Sequence, residues 1–234
     1  MERISDLTKL ILHRGLCESA VENSFSAFKS ACISPYVWGV ETDIQFTADG
    51  KCVCFHDKNG KRLLGLKTFI HDFKFEQLKH LKIVNSKQSI SAPICPFKKY
   101  VKICKKYNKV CVIEFKYDFS DKQLDGVLKI LKWHRYLKNC VLISFNQSIL
   151  IRLRKMLPNQ KLQLLVSNPM RRVLNFCIKY KVDVSMLWRL VRKETVRKFN
   201  NFGIGVSVWG VKGYNTAIKM IGCGVESITA DKIM

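Results

Sequence analysis

Short runs of β-branched, aromatic and small apolar residues recur along the chain, and most are followed by a segment in which apolar residues return every three or four positions. A strand followed by an amphipathic helix, repeated, is the pattern of βα units wound around a parallel sheet. Candidate strands lie at residues 9–13, 38–44, 110–115, 140–144, 162–166, 182–186, 204–209 and 226–230. Eight such units are what a closed α/β barrel requires.

The intervening segments carry helix signals. Phe25, Phe28 and Cys32 share one face after the first strand, and Leu124, Val127, Leu128 and Leu131 form a stripe opened by a Ser120-to-Gln123 capping box. Asn168-Pro169 reads as an N-cap followed by proline at the first helical position, with Met170, Val173, Leu174 and Cys177 at helical spacing behind it. Gly203 and Gly222 stand where helices should stop. These stripes are packing surfaces.

One apolar run, Cys52 to His56, follows the second strand after only a few residues centred on Ala48-Asp49-Gly50. A parallel neighbour needs a crossover of about a dozen residues or more. The Asp-Gly turn therefore predicts a hairpin over residues 42–56, which folds His56 back toward Glu41 and Asp43. Residues 57–109 form the longest interval between barrel strands, with helical stretches expected near 72–82 and 96–107, and read as an excursion over the barrel mouth. No internal repeat or low-complexity linker interrupts the chain, so residues 1–234 are expected to form one domain.

Composition narrows the class. Of 234 residues, 47% are hydrophobic and 25% charged, which suits a folded globular chain and argues against extended disorder. A net charge of +23 attracts phosphates or anionic headgroups. Its lysines, however, run from Lys9 to Lys232 without gathering in a tail, which reads first as a solvated surface and second as peripheral contact with an anionic membrane or steering of an anionic substrate. There is no interleaved basic and aromatic stripe, helix-turn-helix or RNA-binding signature, so no specific nucleic-acid partner is expected. Ten cysteines without a CxxC, several of them (Cys52, Cys54, Cys111, Cys140) inside apolar strands, read as free thiols in a reducing compartment. With neither a secretory signal pattern nor an apolar run long enough to span a bilayer, a cytoplasmic location is expected.

The residues that carry chemistry cluster at strand ends. His13 and Arg14 follow the first strand, Glu41 and Asp43 lie in the second, and Glu114 and Lys116 close the third. Barrel active sites form at that face. Glu41 and Asp43 are two apart and point the same way in a strand, and Glu114 on the next strand completes a three-carboxylate cluster. Such a cluster repels itself unless it is protonated or neutralised, and a hard divalent cation, Mg²⁺ or Ca²⁺, takes oxygen ligands of this kind.

The ordered set H-R-G at 13–15, E-N-S at 22–24, E-T-D at 41–43, T-A-D-G at 47–50, H-D at 56–57 and E-F-K at 114–116 resembles the glycerophosphodiester phosphodiesterase family. The likeness continues through Ser144-Phe145 and Val208-Trp209 to Asp231. It implies an α/β fold, a single TIM-type (β/α)8 barrel related to the phosphatidylinositol phospholipases C, with a β-hairpin extension after strand 2. Glu41, Asp43 and Glu114 then correspond to metal ligands, with His13 and His56 as the catalytic pair, His13 as base or nucleophile and His56 as acid. Arg14 and Lys116 supply positive charge for the phosphate. Asp57 is expected to orient His56, Asn23 to hold the loop carrying His13, Glu22 to sit as a helix N-terminal charge, and Trp209 to contact a glycerol or lipid moiety. The chain departs from the family pattern in Lys58-Asn59-Gly60-Lys61-Arg62-Leu63-Leu64, in Val208-Trp209-Gly210-Val211 and at Ala230, positions that bear on substrate shape.

The implied reaction is metal-dependent hydrolysis of a small-molecule glycerophosphodiester to glycerol 3-phosphate and an alcohol. Two alternatives stand beside it: a lysophospholipase D or sphingomyelinase D-like activity on lipid phosphodiesters, and a basic module that binds anionic surfaces without catalysis.

Overall fold

A computed structural model of the protein describes residues 8–85, 89–168 and 172–232. In chain order the strands are β1 (Lys9–Leu12), β2 (Gly39–Phe46), β3 (Cys52–Cys54), β4 (Lys82–Asn85), β5 (Ile90–Pro93), β6 (Cys95–Pro96), β7 (Val110–Phe115), β8 (Cys140–Ser144), β9 (Leu162–Val166), β10 (Asp183–Leu187), β11 (Val206–Val211) and β12 (Ser227–Ala230). The helices are α1 (Phe25–Ile33), α2 (Lys61–Leu64), α3 (Phe75–Leu78), α4 (Phe97–Lys106), α5 (Asp121–Trp133), α6 (Gln147–Met156), α7 (Val173–Tyr180), α8 (Lys193–Asn200) and α9 (Tyr214–Gly222).

Eight of the strands, β1, β2 and β7 to β12, pair in parallel, and a β1–β2 pairing closes the ring. These are the eight strands read from the sequence, within two residues at each end, and the architecture is the expected TIM-type barrel. Its interior holds Ile11, Val112, Val141, Ile143 and Leu165, together with a buried polar chain in which Gln163 donates to Ser207 at 3.1 Å and Ser227 bonds Ser207 at 2.8 Å. The outward strand residues, Leu10, Leu12, Val40, Cys111 and Ile113 among them, pack against the helices. Strands covered on both faces are apolar nearly throughout, which is why they stood out.

The hairpin is also as expected: β3 runs antiparallel to β2, pairing Ile44 with Cys54 and Phe46 with Cys52, and β6 extends the sheet beyond β3. Within residues 57–109 the helix expected near 96–107 is present as α4, but the stretch before it differs from expectation. In place of a helix over 72–82 there is a 3₁₀ turn at Ile70–Asp72 and the single-turn α3, and the chain then enters β4, which pairs antiparallel with β5. Ile83 and Ala92 face inward with exposed neighbours on either side, so the period here is two. Together with Val53, Phe55, Leu63, Ile70 and Leu78 they build a second small core against the hairpin.

One helix expectation needs correction. Phe25 is 41% exposed, because it is the first residue of α1 and projects past the contact made by Phe28 and Cys32. Gly222 is the last residue of α9, as its position suggested, and the left-handed residue that follows is Gly224, at φ +81°. The Asn168-Pro169 start reaches into residues 169–171, outside the described residues, and α7 as described begins at Val173. The Ser120–Gln123 capping box is present, with Gln123 N–H donating to Ser120 Oγ at 3.2 Å and Ser120 N–H donating to Gln123 Oε1 at 2.9 Å. Gly203 adopts φ +70° just past α8, as its position suggested.

All ten cysteines are free thiols, eight of them buried. No helix among the described residues is long and apolar enough to cross a membrane.

One glycine ties barrel to loop. Gly15, at φ +87°, lies so close to α1 that a Cβ would sit 2.6 Å from the carbonyl carbon of Ala27, while Leu16 N–H donates to Ala27 O at 3.0 Å. Gly15→Ala adds a clash to a left-handed backbone and should lower unfolding free energy by about 2–4 kcal/mol in urea titration, with an unchanged m value. A loss below about 0.5 kcal/mol would show that the loop does not need this approach.

Candidate active site

The strand register brings the acidic residues together. Parallel pairing sets Asp43 beside Glu114 and Glu41 beside Val112, and Glu41 shares the inward parity of Asp43. One carboxylate oxygen from each of Glu41, Asp43 and Glu114 lies within 4.8 Å of the others, and all three residues are buried.

Around this triad the cations are fixed. Lys116 Nζ stands 3.1 Å from Asp43 Oδ1 and 3.0 Å from Glu114 Oε1. Arg14 takes a left-handed backbone (φ +57°) that points its N–H at Glu41 Oε2, 3.0 Å away, and sets its Nε 3.3 Å from Asp43 Oδ2. Asn23, also left-handed, donates to Asp43 Oδ2 at 3.0 Å, accepts from Thr42 Oγ1 at 2.7 Å, and donates its backbone N–H to Arg14 O at 3.0 Å.

Two imidazoles flank the cluster. His13 leaves β1 with its Nδ1 2.8 Å from Asp231 Oδ1 at the end of β12, and its Nε2 is 4.0 Å from Glu41 Oε2. His56 leaves β3 with its Nδ1 2.6 Å from Asp57 Oδ1. Gln45 grips the backbone on either side of His56, donating to Phe55 O at 2.9 Å and Asp57 O at 2.7 Å, and the Tyr117 hydroxyl donates to His56 O at 3.0 Å. With Nδ1 of each ring held by a carboxylate, Nε2 is the nitrogen left to exchange a proton.

Glu22 is not the helix charge expected of it, since Ser24 caps α1. It pairs with Arg14 Nη1 at 2.6 Å and receives both Nη groups of Arg62, at 2.6 and 2.8 Å. Arg62 donates in addition to both oxygens of Asp57, at 2.7 and 2.8 Å. A single guanidinium thus joins the carboxylate behind His56 to the one beside Arg14. Neither this role of Arg62 nor the partnership of Asp231 with His13 was singled out from the sequence. Asp231, at the end of the last strand, carried the strand-end signal that marked the others; Arg62 sits in a loop with no periodicity and carried none.

The electrostatics are those of a crowded acidic site. Burial, with Asp43 and Glu114 adding repulsion, pushes the Glu41 carboxyl well above the usual carboxylate range. Burial and Asp43 likewise push Glu114 up to about 7, against the pull of Lys116. Burial works against Asp43 too, but Lys116 and Arg14 outweigh it and hold that group far below the usual range. Protein cations therefore satisfy one carboxylate of three, and Glu41 Oε1 is buried without a hydrogen-bond partner among the described residues. Ligands about 2.0–2.6 Å from a shared ion stand at most about 5 Å apart, so the triad fits a hard divalent cation by spacing, donor type and unmet charge.

The site opens into a cavity of about 430 Å³. His13, Arg14, Glu41, Glu114 and Lys116 line it together with Phe145, Trp209 and Lys212. Phe145 and Trp209 meet edge to face at 5.8 Å between ring centres. Trp209 lies within β11. A second, shallower basin of about 530 Å³ shares His56 with this cavity and continues over Asp57, Lys58, Lys61, Arg62 and Tyr117.

Known proteins carry the same fold. A glycerophosphodiester phosphodiesterase of Caldanaerobacter subterraneus subsp. tengcongensis is 25% identical over 232 residues, covering 96% of this chain and 94% of its own. An Oleispira antarctica phosphodiesterase, solved in complex with the product sn-glycerol-3-phosphate, superposes with a TM-score of 0.84 at 18% identity, over 97% of this chain and 94% of that one. The glycerophosphodiester phosphodiesterase of Thermotoga maritima gives a TM-score of 0.77 at 24% identity, over 96% and 95% of the two chains. Residues 13–234, from the first histidine of the site to the last residue, match the model of the glycerophosphoryl diester phosphodiesterase family, and to that family this chain belongs.

Proposed function

We propose that the protein hydrolyses glycerophosphodiesters to glycerol 3-phosphate and an alcohol, using a divalent cation and two histidines, as one catalytic domain over residues 1–234. The observation that carries this reading is the placement of two carboxylate-oriented imidazoles on either side of a buried acidic triad flanked by Arg14 and Lys116. Family membership and the product bound in the Oleispira enzyme support the substrate class. Ten unpaired thiols support a reducing, cytoplasmic setting.

Glu41, Asp43 and Glu114 would hold Mg²⁺ or Ca²⁺, which when bound neutralises phosphate charge and polarises a phosphoryl oxygen. Arg14 and Lys116 contribute further positive charge where the oxygens of the pentacoordinate centre gather negative charge. His13 Nε2 accepts the proton of the attacking oxygen as that oxygen bonds phosphorus, and His56 Nε2 gives its proton to the alcohol oxygen as the other P–O bond breaks. Exchange with solvent then resets both rings. Asp231 and Asp57 fix each tautomer, and Asn23 fixes the turn that presents Arg14. Trp209 lines the cavity and would contact the glycerol moiety.

Phosphorus NMR on glycerophosphocholine should show glycerol 3-phosphate as the product, no turnover after EDTA, and recovery with Mg²⁺ or Ca²⁺; Glu41→Gln should lower kcat/KM at least about 100-fold at saturating metal. Full turnover in EDTA would remove the cation from the reading.

Replacing His13 or His56 by alanine should each lower kcat/KM about 10²- to 10⁴-fold. With p-nitrophenol as the leaving group, which departs without help, the deficit of His56→Ala should shrink to under about tenfold while that of His13→Ala persists. The opposite pattern would exchange the two roles.

Burial holds the His56 imidazole below its ordinary range, Arg14 and Lys116 add to this, and Asp43 and the bond to Asp57 oppose it. An acid acts in its protonated form, so kcat/KM should fall as pH rises through that lowered value. Asp57→Asn removes one of the groups that raise it, so the alkaline limb should move to lower pH; a shift to higher pH would refute the assignment.

A further inference from the structure

We propose that the preferred substrate carries an anionic group, a phosphate monoester, on its leaving alcohol, and that this group seats in the basin on the outer side of His56. The inference rests on the diester hydrolysis proposed above and names the headgroup that reaction releases.

The argument begins with His56, the one residue common to both cavities. Its Nδ1 is tied to Asp57, so the proton passes from Nε2 at the partition between them. An alcohol oxygen protonated there has its own phosphorus on the side of the acidic triad and the rest of the alcohol free to extend into the basin.

The two spaces differ in charge. Around the main cavity three cations, Arg14, Lys116 and Lys212, face three carboxylates, Glu41, Glu114 and Asp231. In the basin Lys58, Lys61 and Arg62 face Asp57 alone. Arg62 is already committed, with four hydrogen bonds to Asp57 and Glu22. Lys58 and Lys61 line the basin, are exposed and have no acidic partner among the described residues; the Lys58 ammonium stands over the Phe69 ring at 5.9 Å, a weak contact that leaves it able to turn to an anion in the space where the alcohol would lie. A quaternary ammonium needs aromatic faces or carboxylates. The basin offers the single ring of Tyr117, and the aromatic pair Phe145 and Trp209 lines the other cavity together with Lys212. Charge complementarity therefore favours an anionic headgroup over choline.

The test measures kcat/KM of the metal-loaded protein at low ionic strength for three glycerophosphodiesters that differ only in the alcohol: inositol 4-phosphate, inositol and choline. The wild type should favour inositol 4-phosphate over inositol by about tenfold, the size expected of two exposed ion pairs, and choline should be the poorest. Lys58→Glu with Lys61→Glu should bring the first ratio to one or below. The same charge change made on α8, Lys193→Glu with Lys198→Glu, should leave that ratio in place. A wild-type ratio of one or less, a ratio that survives the basin variant, or equal loss from the α8 variant would overturn the headgroup assignment while leaving the hydrolase reading intact. Failure to cleave any of the three would instead overturn the hydrolase reading, and this inference with it.

Discussion

Three carboxylates with little access to water are the constraint around which the rest of the molecule is arranged. Like charges held this close cannot all ionise in a medium of low polarisability without a compensating cation. The chain meets the constraint in part, with a lysine and an arginine that settle Asp43, and leaves the ionised forms of Glu41 and Glu114 disfavoured. Such an arrangement costs stability, and folds keep it where the strain has a use. Here the strained groups stand at the open end of a barrel, with the spacing and donor type that fit a divalent cation.

Holding the cations in place requires a scaffold that reaches well beyond the triad. Arg14 stands in a left-handed turn that Asn23 braces from behind and Gly15 seats on α1. Its other carboxylate, Glu22, is shared with Arg62, which belongs to the segment folded on the hairpin. From Asp43 through Arg14, Glu22, Arg62 and Asp57 to His56 runs an unbroken chain of charge-assisted contacts at 2.6 to 3.3 Å. Loops from both sides of the mouth are thereby fastened to each other, and preorganised dipoles and charges are what such chemistry demands of a protein.

Much of this was legible in the sequence because a barrel of this kind writes its plan locally. The strands are mostly apolar, the longer helices show a stripe, and polar residues within β2 and at the ends of β1 and β7 break the apolar runs. The hairpin announced itself by the short Asp-Gly connection. What stayed hidden depended on contacts distant in sequence or on short elements. Arg62 pairs with Glu22 forty residues away, and nothing in its neighbourhood foretells that. The β4–β5 pair occupies four residues per strand, too few for a period of two to stand out from the helical pattern beside it. Glu22 misled because an acid ahead of a helix usually serves that helix, and here a stronger partner lay across the mouth.

The thiols lend themselves to a different use. Burial pushes the Cys52, Cys104 and Cys111 sulfhydryls far up, away from the reactive thiolate. A buried thiol of this kind meets an alkylating reagent only when its element opens, so its labelling rate reports the free energy of that opening. Cys32, Cys52, Cys54, Cys95, Cys104, Cys111 and Cys140 mark the first two thirds of the chain, and only Cys177 marks the remainder. Pulsed labelling read by mass spectrometry would therefore resolve local breathing of the early βα units element by element, and would see the late ones through a single window.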